Sequence, residues 1–324
     1  MEATTGQQRR NTIRAYPNIA PFAGRLGGNQ TAYLDGHDAI EPESDRLIPD
    51  ALPWIPLSQQ FDLRPFATPG LWKAALVEGW GTLMLVYITI WASMSPNVQP
   101  QPPDARLGNF NNAAFIGPAV GGFINFALVT LFIFSFGAVT GAHFNPTITM
   151  ATFLARLCSL PRAVLYVAAQ TAGGALAGLL ARASFGTSDF KVGGCWLFPE
   201  LVPPAETFVV EFMATSVLLF IAFGTGIDPR QRETVGPALS PFLVGLGLGM
   251  LSFGTGFTRF GYGGASMNPA RCFGVFVGSQ FPSWHWIHCM DMEAFGWMRD
   301  GTRYKLYGGD FRYYMDLVSS SWNI

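Results

Sequence analysis

Five long apolar stretches alternate with polar segments between residues 71 and 257 of this chain. They lie at about residues 71–93, 115–137, 161–183, 205–227 and 236–257. A helix needs roughly 20 predominantly apolar residues to cross a bilayer, and each stretch has that length. The pattern therefore predicts an all-α membrane protein with five spanning helices.

Polar residues dominate the N-terminal part of the chain. Residues 1–68 are rich in Pro, Gly, Asn, Gln and charge and show no sustained periodicity, which predicts a disordered or loosely ordered arm. Arginines in this arm, in the 156–162 region and in the 230–232 loop fall on one side of the predicted topology. The positive-inside rule assigns that side, and with it the N-terminus, to the cytoplasm. We expect a multi-pass protein of the plasma membrane without a cleaved signal.

Two short stretches between the apolar runs nearly repeat each other. Each contains Gly-Ala-x-x-Asn-Pro and then a small residue, and the two boxes are Asn145, Pro146, Thr147 and Asn268, Pro269, Ala270. Asn is a good N-cap, and Pro suits the first helical turn. A single Asn-Pro pair usually marks a loop. Two matched copies instead predict half-helices that meet end to end at a pore, since irregular backbone at membrane depth must be buried or line a wet cavity.

A second internal repeat accompanies the boxes. Residues 77–82 and 210–215 share the pattern Val-Glu-x-x-small-Thr. Each half then consists of an acid-bearing helix, a second helix and an Asn-Pro half-helix, and an odd number of spans per unit predicts an inverted repeat. The acids Glu78 and Glu211 lie inside apolar stretches, where ionisable residues suggest function, so a proton relay is one hypothesis for them.

Composition excludes several other classes of protein. Hydrophobic residues make up 49% and charged residues 13% of the chain, against about 25% charged in a soluble domain. The net charge of −1 gives no reason to expect a nucleic-acid partner. We find no Ser-His-Asp, paired-acid or phosphate-loop pattern that would predict an enzyme.

The four cysteines form no metal-ligand pattern, so we expect neither a metal nor a cofactor. Cys158 and Cys195 fall on opposite sides of the predicted membrane, and no disulfide between them is expected. Cys272 is either an oxidation-sensitive thiol or a small buried packing residue, and we favour the second interpretation. His285 and His288 near Cys289 do not make a convincing metal site.

These features together resemble the aquaporins, or major intrinsic proteins. The resemblance is carried by the two boxes, by the acids, by Gln170 in the third stretch and by Arg271 after the second box, over about residues 70–286. The run Asn268–Cys272 is similar to the X intrinsic protein subfamily of plants and fungi. The resemblance implies an aquaporin-like inverted repeat, homotetramers in lipid, and one pore per subunit for water and small uncharged solutes such as glycerol, urea and hydrogen peroxide.

The resemblance also implies roles for individual side chains in the pore. Asn145 and Asn268 would donate hydrogen bonds to passing solutes at mid-membrane, and Arg271 would stand in the outer selectivity filter rather than among the lipid headgroups. Spacing then gives the other filter positions as Asn125, Ala265 and Ser252, with Gly256 as second choice to Ser252. None of these residues is aromatic or histidine. Water-selective members of the family narrow the filter with such residues, so we expect a wider filter here.

In the family, the two acids support the Asn-Pro loops, and this role is favoured here over a proton relay. Gln170 is expected to pack and to form hydrogen bonds in support of the loops. His143 lies at the cytoplasmic mouth, where shaping the loop is favoured over gating by pH.

The C-terminal part of the chain departs from the family pattern. The channel domain is predicted over 69–287, with five spans and two half-helices. The family pattern then calls for a sixth span, but residues 288–324 carry charges throughout and cannot cross a bilayer. A genuine five-span variant and an altered gene product (a retained intron, a frameshift or a faulty gene model) both explain this polar tail. Two functional hypotheses follow: a conducting channel, or a non-conducting truncated subunit or scaffold.

Overall fold

The computed structural model describes residues 22–26, 55–95, 112–228, 235–257 and 259–288. Its α-helices are α1 (Leu57–Gln60), α2 (Pro69–Ser93), α3 (Asn112–Phe136), α4 (Pro146–Leu154), α5 (Leu160–Phe185), α6 (Pro204–Ala222), α7 (Gly236–Phe257) and α8 (Pro269–Gly278). The shorter elements are 3-10 helices at Arg64–Ala67 and His285–His288, a π-helical turn at Phe223–Ile227, and strands β1 (Met94–Ser95) and β2 (Lys191–Val192). The two strands pair antiparallel.

Five of these helices are long and apolar enough to cross a membrane: α2, α3, α5, α7, and α6 together with its π-helical turn. Proline at the first or second position starts α2, α5 and α6, because its fixed φ suits a helical first turn and its missing N–H costs nothing there. The predicted all-α, aquaporin-like fold is confirmed. Within the residues described, the count of five also agrees with the predicted lack of a sixth span.

The two halves of the chain repeat the same order of elements. The first half runs α2, α3, α4 and the second α6, α7, α8, with an acid in the first helix and an Asn-Pro box before the last. Helix α5 follows the first half-helix. After α8, the described part of the chain continues only to the 3-10 turn His285–His288.

Glycines bring the helices into close backbone contact, as is common between membrane helices. A Cβ added at Gly178 of α5 would lie 1.7 Å from the carbonyl oxygen of Gly274 in α8. One added at Gly173 would lie 2.2 Å from the carbonyl oxygen of Gly79 in α2. Helix α5 is therefore in direct backbone contact with both α2 and α8. The contact between Gly178 and Gly274 fixes α8, which follows the second box.

Part of the predicted disordered arm is folded onto the helices. Residues 22–26 are all buried. Arg25 donates through Nη1 to the carbonyl oxygens of Gly137, at 2.6 Å, and of Ala138. The Leu26 N–H donates to Gly141 O at 2.9 Å, and Ser240 Oγ donates to Leu26 O at 2.9 Å.

The prediction of disorder over 1–68 is therefore wrong for residues 22–26, and also for the helical turns within 55–68. The five-residue segment is too short to show any periodicity, and its folding depends on burying Phe22 and Leu26 against distant residues. At the other end, His288 is fully buried, so the first residue of the predicted polar tail still belongs to the packed domain. The rest of the arm and residues 289–324 lie outside the described residues.

Candidate functional site

The two Asn-Pro boxes meet head to head, as the sequence repeat predicts. Asn145 Nδ2 donates to Met267 O at 2.7 Å, and Asn268 Nδ2 donates to Phe144 O at 3.0 Å. Each side-chain oxygen caps its own half-helix, since Asn145 Oδ1 accepts from Thr147 N at 2.9 Å and Asn268 Oδ1 from Arg271 N at 3.3 Å. Pro146 and Pro269 are the first helical residues, and the following Thr147 and Ala270 are buried.

The hydrogen bonds between the boxes use only part of each amide. A side-chain amide has two N–H donors, and one from each Asn is taken by the backbone of the opposite box. Sequence reasoning expected both amides to point into the pore and did not foresee this bond. These two bonds use one N–H donor of each Asn, at the point where the positive ends of two helix dipoles face each other.

A cavity of about 370 Å³ opens beside the second box, between α2, α3, α7 and α8. The predicted filter residues all line it: Asn125, Ser252, Ala265 and Arg271, together with the second choice Gly256. We call it the Arg271 cavity. The structure thus brings the four positions together, and both candidates on α7 face the same space as Asn268.

Arg271 is only 9% exposed and is held by four acceptors. Its Nε donates to Thr89 Oγ1 at 3.4 Å, and Nη2 donates to Ser93 Oγ at 3.1 Å and to Gly193 O at 2.7 Å. The fourth acceptor is Cys195 Sγ, 3.1 Å from Nη1. The guanidinium is therefore fixed at the cavity wall.

Glu78 holds the loop of the first box. It is fully buried, and Oε1 accepts from the backbone N–H of Phe144 and from Gln170 Nε2, the latter at 3.1 Å. Gln170 also donates to Thr149 Oγ1 at 2.9 Å, which links α5 to the first half-helix. Phe144 has a φ of 50°, a left-handed conformation that costs energy for a bulky residue. The carboxylate offsets that cost by accepting the Phe144 N–H.

Glu211 holds the loop of the second box in the way that Glu78 holds the first. Its carboxylate accepts from Ser266 N at 3.0 Å and from Met267 N at 3.2 Å, and Met267 has a φ of 56°. Tyr262 donates to Glu211 Oε1 at 3.1 Å, and His288 Nδ1 lies 2.6 Å from the same atom. These contacts with Tyr262 and His288 were not foreseen, since nothing in the sequence marks them as neighbours of α6.

His143 lies inside the protein and not at an open mouth. Its Nε2 donates to Gly24 O at 2.7 Å, and its ring packs against Phe22 and Tyr166. Burial lowers the pKa of His143 to about 4, so the ring is neutral at physiological pH. This environment fits a residue that shapes the loop.

Cys195 and Cys272 form a disulfide across 77 positions of sequence. Cys272 is buried, as predicted, but the interpretation of it as only a packing residue is wrong, because it is bonded to Cys195. The predicted topology could have indicated this disulfide, because it places both the 184–204 loop and the end of the second box on the outer side. Cys158, the remaining described cysteine, is buried elsewhere, between α4 and α5.

Comparison of the sequence with known proteins identifies the family of this chain. The family model described as "Major intrinsic protein" matches residues 66–291. The chain is 33% identical to the lens fiber major intrinsic protein of Gallus gallus, over 69% of this chain and 78% of that protein. It is 29% identical to aquaporin PIP2-1 of Arabidopsis thaliana, over 67% and 74%. It is 30% identical to aquaporin-B of Dictyostelium discoideum, over 79% and 90%.

Proposed function

This chain belongs to the major intrinsic protein family, and from that premise we propose that it passes glycerol, urea and hydrogen peroxide as well as water, while excluding ions and protons. At the level of the family, it is an integral membrane channel for water and small solutes, and the family's members are transporters rather than enzymes.

The observation that carries the proposal is the make-up of the Arg271 cavity. Besides the fixed guanidinium, the lining contains an amide at Asn125, a hydroxyl at Ser252 and the small side chain of Ala265. Among the described residues that line this cavity, none carries an aromatic or imidazole ring, and this supports passage of a solute of three carbons. The polar groups can replace part of the water that such a solute loses on entry.

Exclusion of ions rests on two groups of fixed positive charge. Arg271 repels cations at the cavity, where charge interactions are much stronger than in bulk water. The abutting N-termini of α4 and α8 add a second positive region at the boxes. In this proposal Glu78, Glu211, Gln170 and His143 support the loops and do not relay protons.

The proposal also covers the subfamily, the oligomeric state and the location of the protein. The run Asn268–Cys272 supports the X intrinsic protein subfamily. Many large apolar side chains on the outside of the helices, such as Phe220 at 70% exposed, support burial in lipid and in a homotetramer. The arginine distribution supports a cytoplasmic N-terminus, and the plasma membrane is the proposed location.

Stopped-flow light scattering on proteoliposomes tests the solute range. We expect fast osmotic shrinkage followed by reswelling in glycerol. Ser252→Phe should place a ring in the Arg271 cavity and lower the ratio of glycerol to water permeability. The matched control is Met250→Phe, two residues along α7, whose side chain is 61% exposed. Fast water flux without glycerol reswelling in the unchanged protein would refute the wide-filter proposal.

A non-conducting subunit or scaffold is the second candidate. It is supported by the five spanning candidates, because within residues 259–288, the described part of the chain after α7, no helix matches α5. Backbone left facing lipid costs several kcal/mol for each unsatisfied polar group, by order of magnitude. The same assay separates the two candidates. Water flux no greater than that of empty liposomes, with the protein verified as inserted, would support the scaffold.

A further inference from the structure

The loop of residues 186–203, between α5 and α6, reaches the wall of the Arg271 cavity. Its strand β2 pairs with β1, and Gly194 N donates to Gly263 O at 2.7 Å. Gly193 O then accepts from Arg271 Nη2. Gly194 has a φ of 83°, and a Cβ there would lie 2.7 Å from Arg271 Nη1, so the loop backbone and the guanidinium are in direct contact.

The disulfide joins this loop to the first turn of α8, which carries Arg271. Cys195 follows the two glycines in the loop, and Cys272 directly follows Arg271. The bridge therefore fixes the loop beside the arginine, and one of its own sulfur atoms accepts from Arg271 Nη1. Two of the four acceptors of the guanidinium, the Gly193 carbonyl and the Cys195 sulfur, are held in place by this one bond.

We propose that the Cys195–Cys272 disulfide is a positioning element for Arg271 and thereby sets the selectivity of the channel. The proposal rests on the proposed function, because selectivity depends on Arg271 acting in the pore. Without the bridge, the guanidinium keeps Thr89 and Ser93 on α2 but loses fixed acceptors on the loop side. A long side chain with fewer fixed partners regains rotamer freedom, and its charge no longer stays at one place in the cavity.

The first test measures the position of Arg271 without any flux. The probe is phenylglyoxal, which reacts with accessible arginine, and peptide mass spectrometry follows its reaction with Arg271 in the full chain. The Cys195→Ser/Cys272→Ser double variant should react about tenfold faster than the unchanged protein. That factor corresponds to about 1.4 kcal/mol, close to the value of one hydrogen bond to a charged group. Cys158→Ser is the matched control and should react at the unchanged rate.

The second test measures selectivity as proton leak per unit of water permeability in proteoliposomes. The double variant should raise this ratio, and the increase should vanish in an Arg271→Ala background. A purely structural bridge would change the ratio equally in both backgrounds, so a persistent effect would overturn the positioning role.

The outcomes separate this inference from the proposed function. An unchanged phenylglyoxal rate in the double variant overturns the inference, whatever the channel conducts. Labelling of Cys195 and Cys272 by maleimide in denatured, unreduced protein overturns it too, because the bridge would then be absent. A faster reaction with an unchanged leak ratio would show that Arg271 is positioned by the bridge but lies outside the filter. That result would refute the selectivity claim and the proposed filter, while glycerol flux would still test the solute range independently.

Discussion

The contact between α5 and α8 gives the sharpest test of the fold. Gly178→Ala adds a methyl group where the nearest atom, Gly274 O, is only 1.7 Å away, and real Cβ contacts essentially never fall below 3.0 Å. The obstacle is backbone, which cannot rotate aside as a flexible side chain can. The two helices must therefore separate by at least about 1.3 Å at this point, the difference between those two distances.

Overpacking of this kind costs about 1–3 kcal/mol, and sometimes more. The matched control is Gly254→Ala in α7, where nothing lies within 4 Å of the added carbon. Replacing an unconstrained helical glycine by alanine stabilises a helix by about 0.5–1 kcal/mol. Both variants gain this helix propensity alike, so they should differ in free energy of unfolding by the overpacking cost, about 1–3 kcal/mol.

Reversible unfolding in mixed detergent micelles measures this difference, and stopped-flow water permeability measures its effect on the pore. Gly178→Ala should unfold more easily and conduct less water than Gly254→Ala. Equal unfolding free energies and equal permeabilities for the two variants would show that α5 and α8 are not in backbone contact.

Three shorter predictions concern the site itself. Arg271→Ala should leave the protein folded but raise its proton leak, since it removes a fixed positive charge; unchanged leak with intact solute flux would place Arg271 outside the filter. Glu211→Gln should lower the free energy of unfolding by about 1.5–3 kcal/mol, because an amide can replace only part of the hydrogen bonding of the carboxylate to Ser266 and Met267; an unchanged melting curve would contradict this. Since the pKa of His143 is lowered to about 4, water permeability should stay flat from roughly pH 5 to 8, and a step near 6.5 would reveal a gate. Stability should instead fall on acidification below 6.5, the usual value, because the unfolded state then binds the proton more readily than the folded one.

The spans and the two boxes were predictable because each depends on local signals. An apolar run of sufficient length specifies a membrane helix, and Asn before Pro specifies a capped start. Box-to-box contact followed from the repeat, since two matched half-helices in an inverted repeat face each other. The predicted spans agree with the helix bounds to within a few residues.

What escaped prediction depends on contacts between distant parts of the chain. The left-handed backbone of Phe144 and Met267 arises where each loop must turn its N–H groups onto a carboxylate, and neither residue type favours that conformation. The disulfide joins cysteines 77 residues apart and could be found only by combining their positions in the topology. The folding of residues 22–26 depends on partners from two distant parts of the chain, Gly137 after α3 and Ser240 in α7.

That last segment has a consequence for how the protein is made. The carbonyl of Leu26 is bound by Ser240, 214 residues further along the chain. A ribosome adds about 5–20 residues per second, so at least about 10 to 40 seconds separate the synthesis of these two partners. During that time α2 to α6 are synthesised, and residues 22–26 lack their partner on α7. The first of the described residues to leave the ribosome are thus among the last to find all their partners.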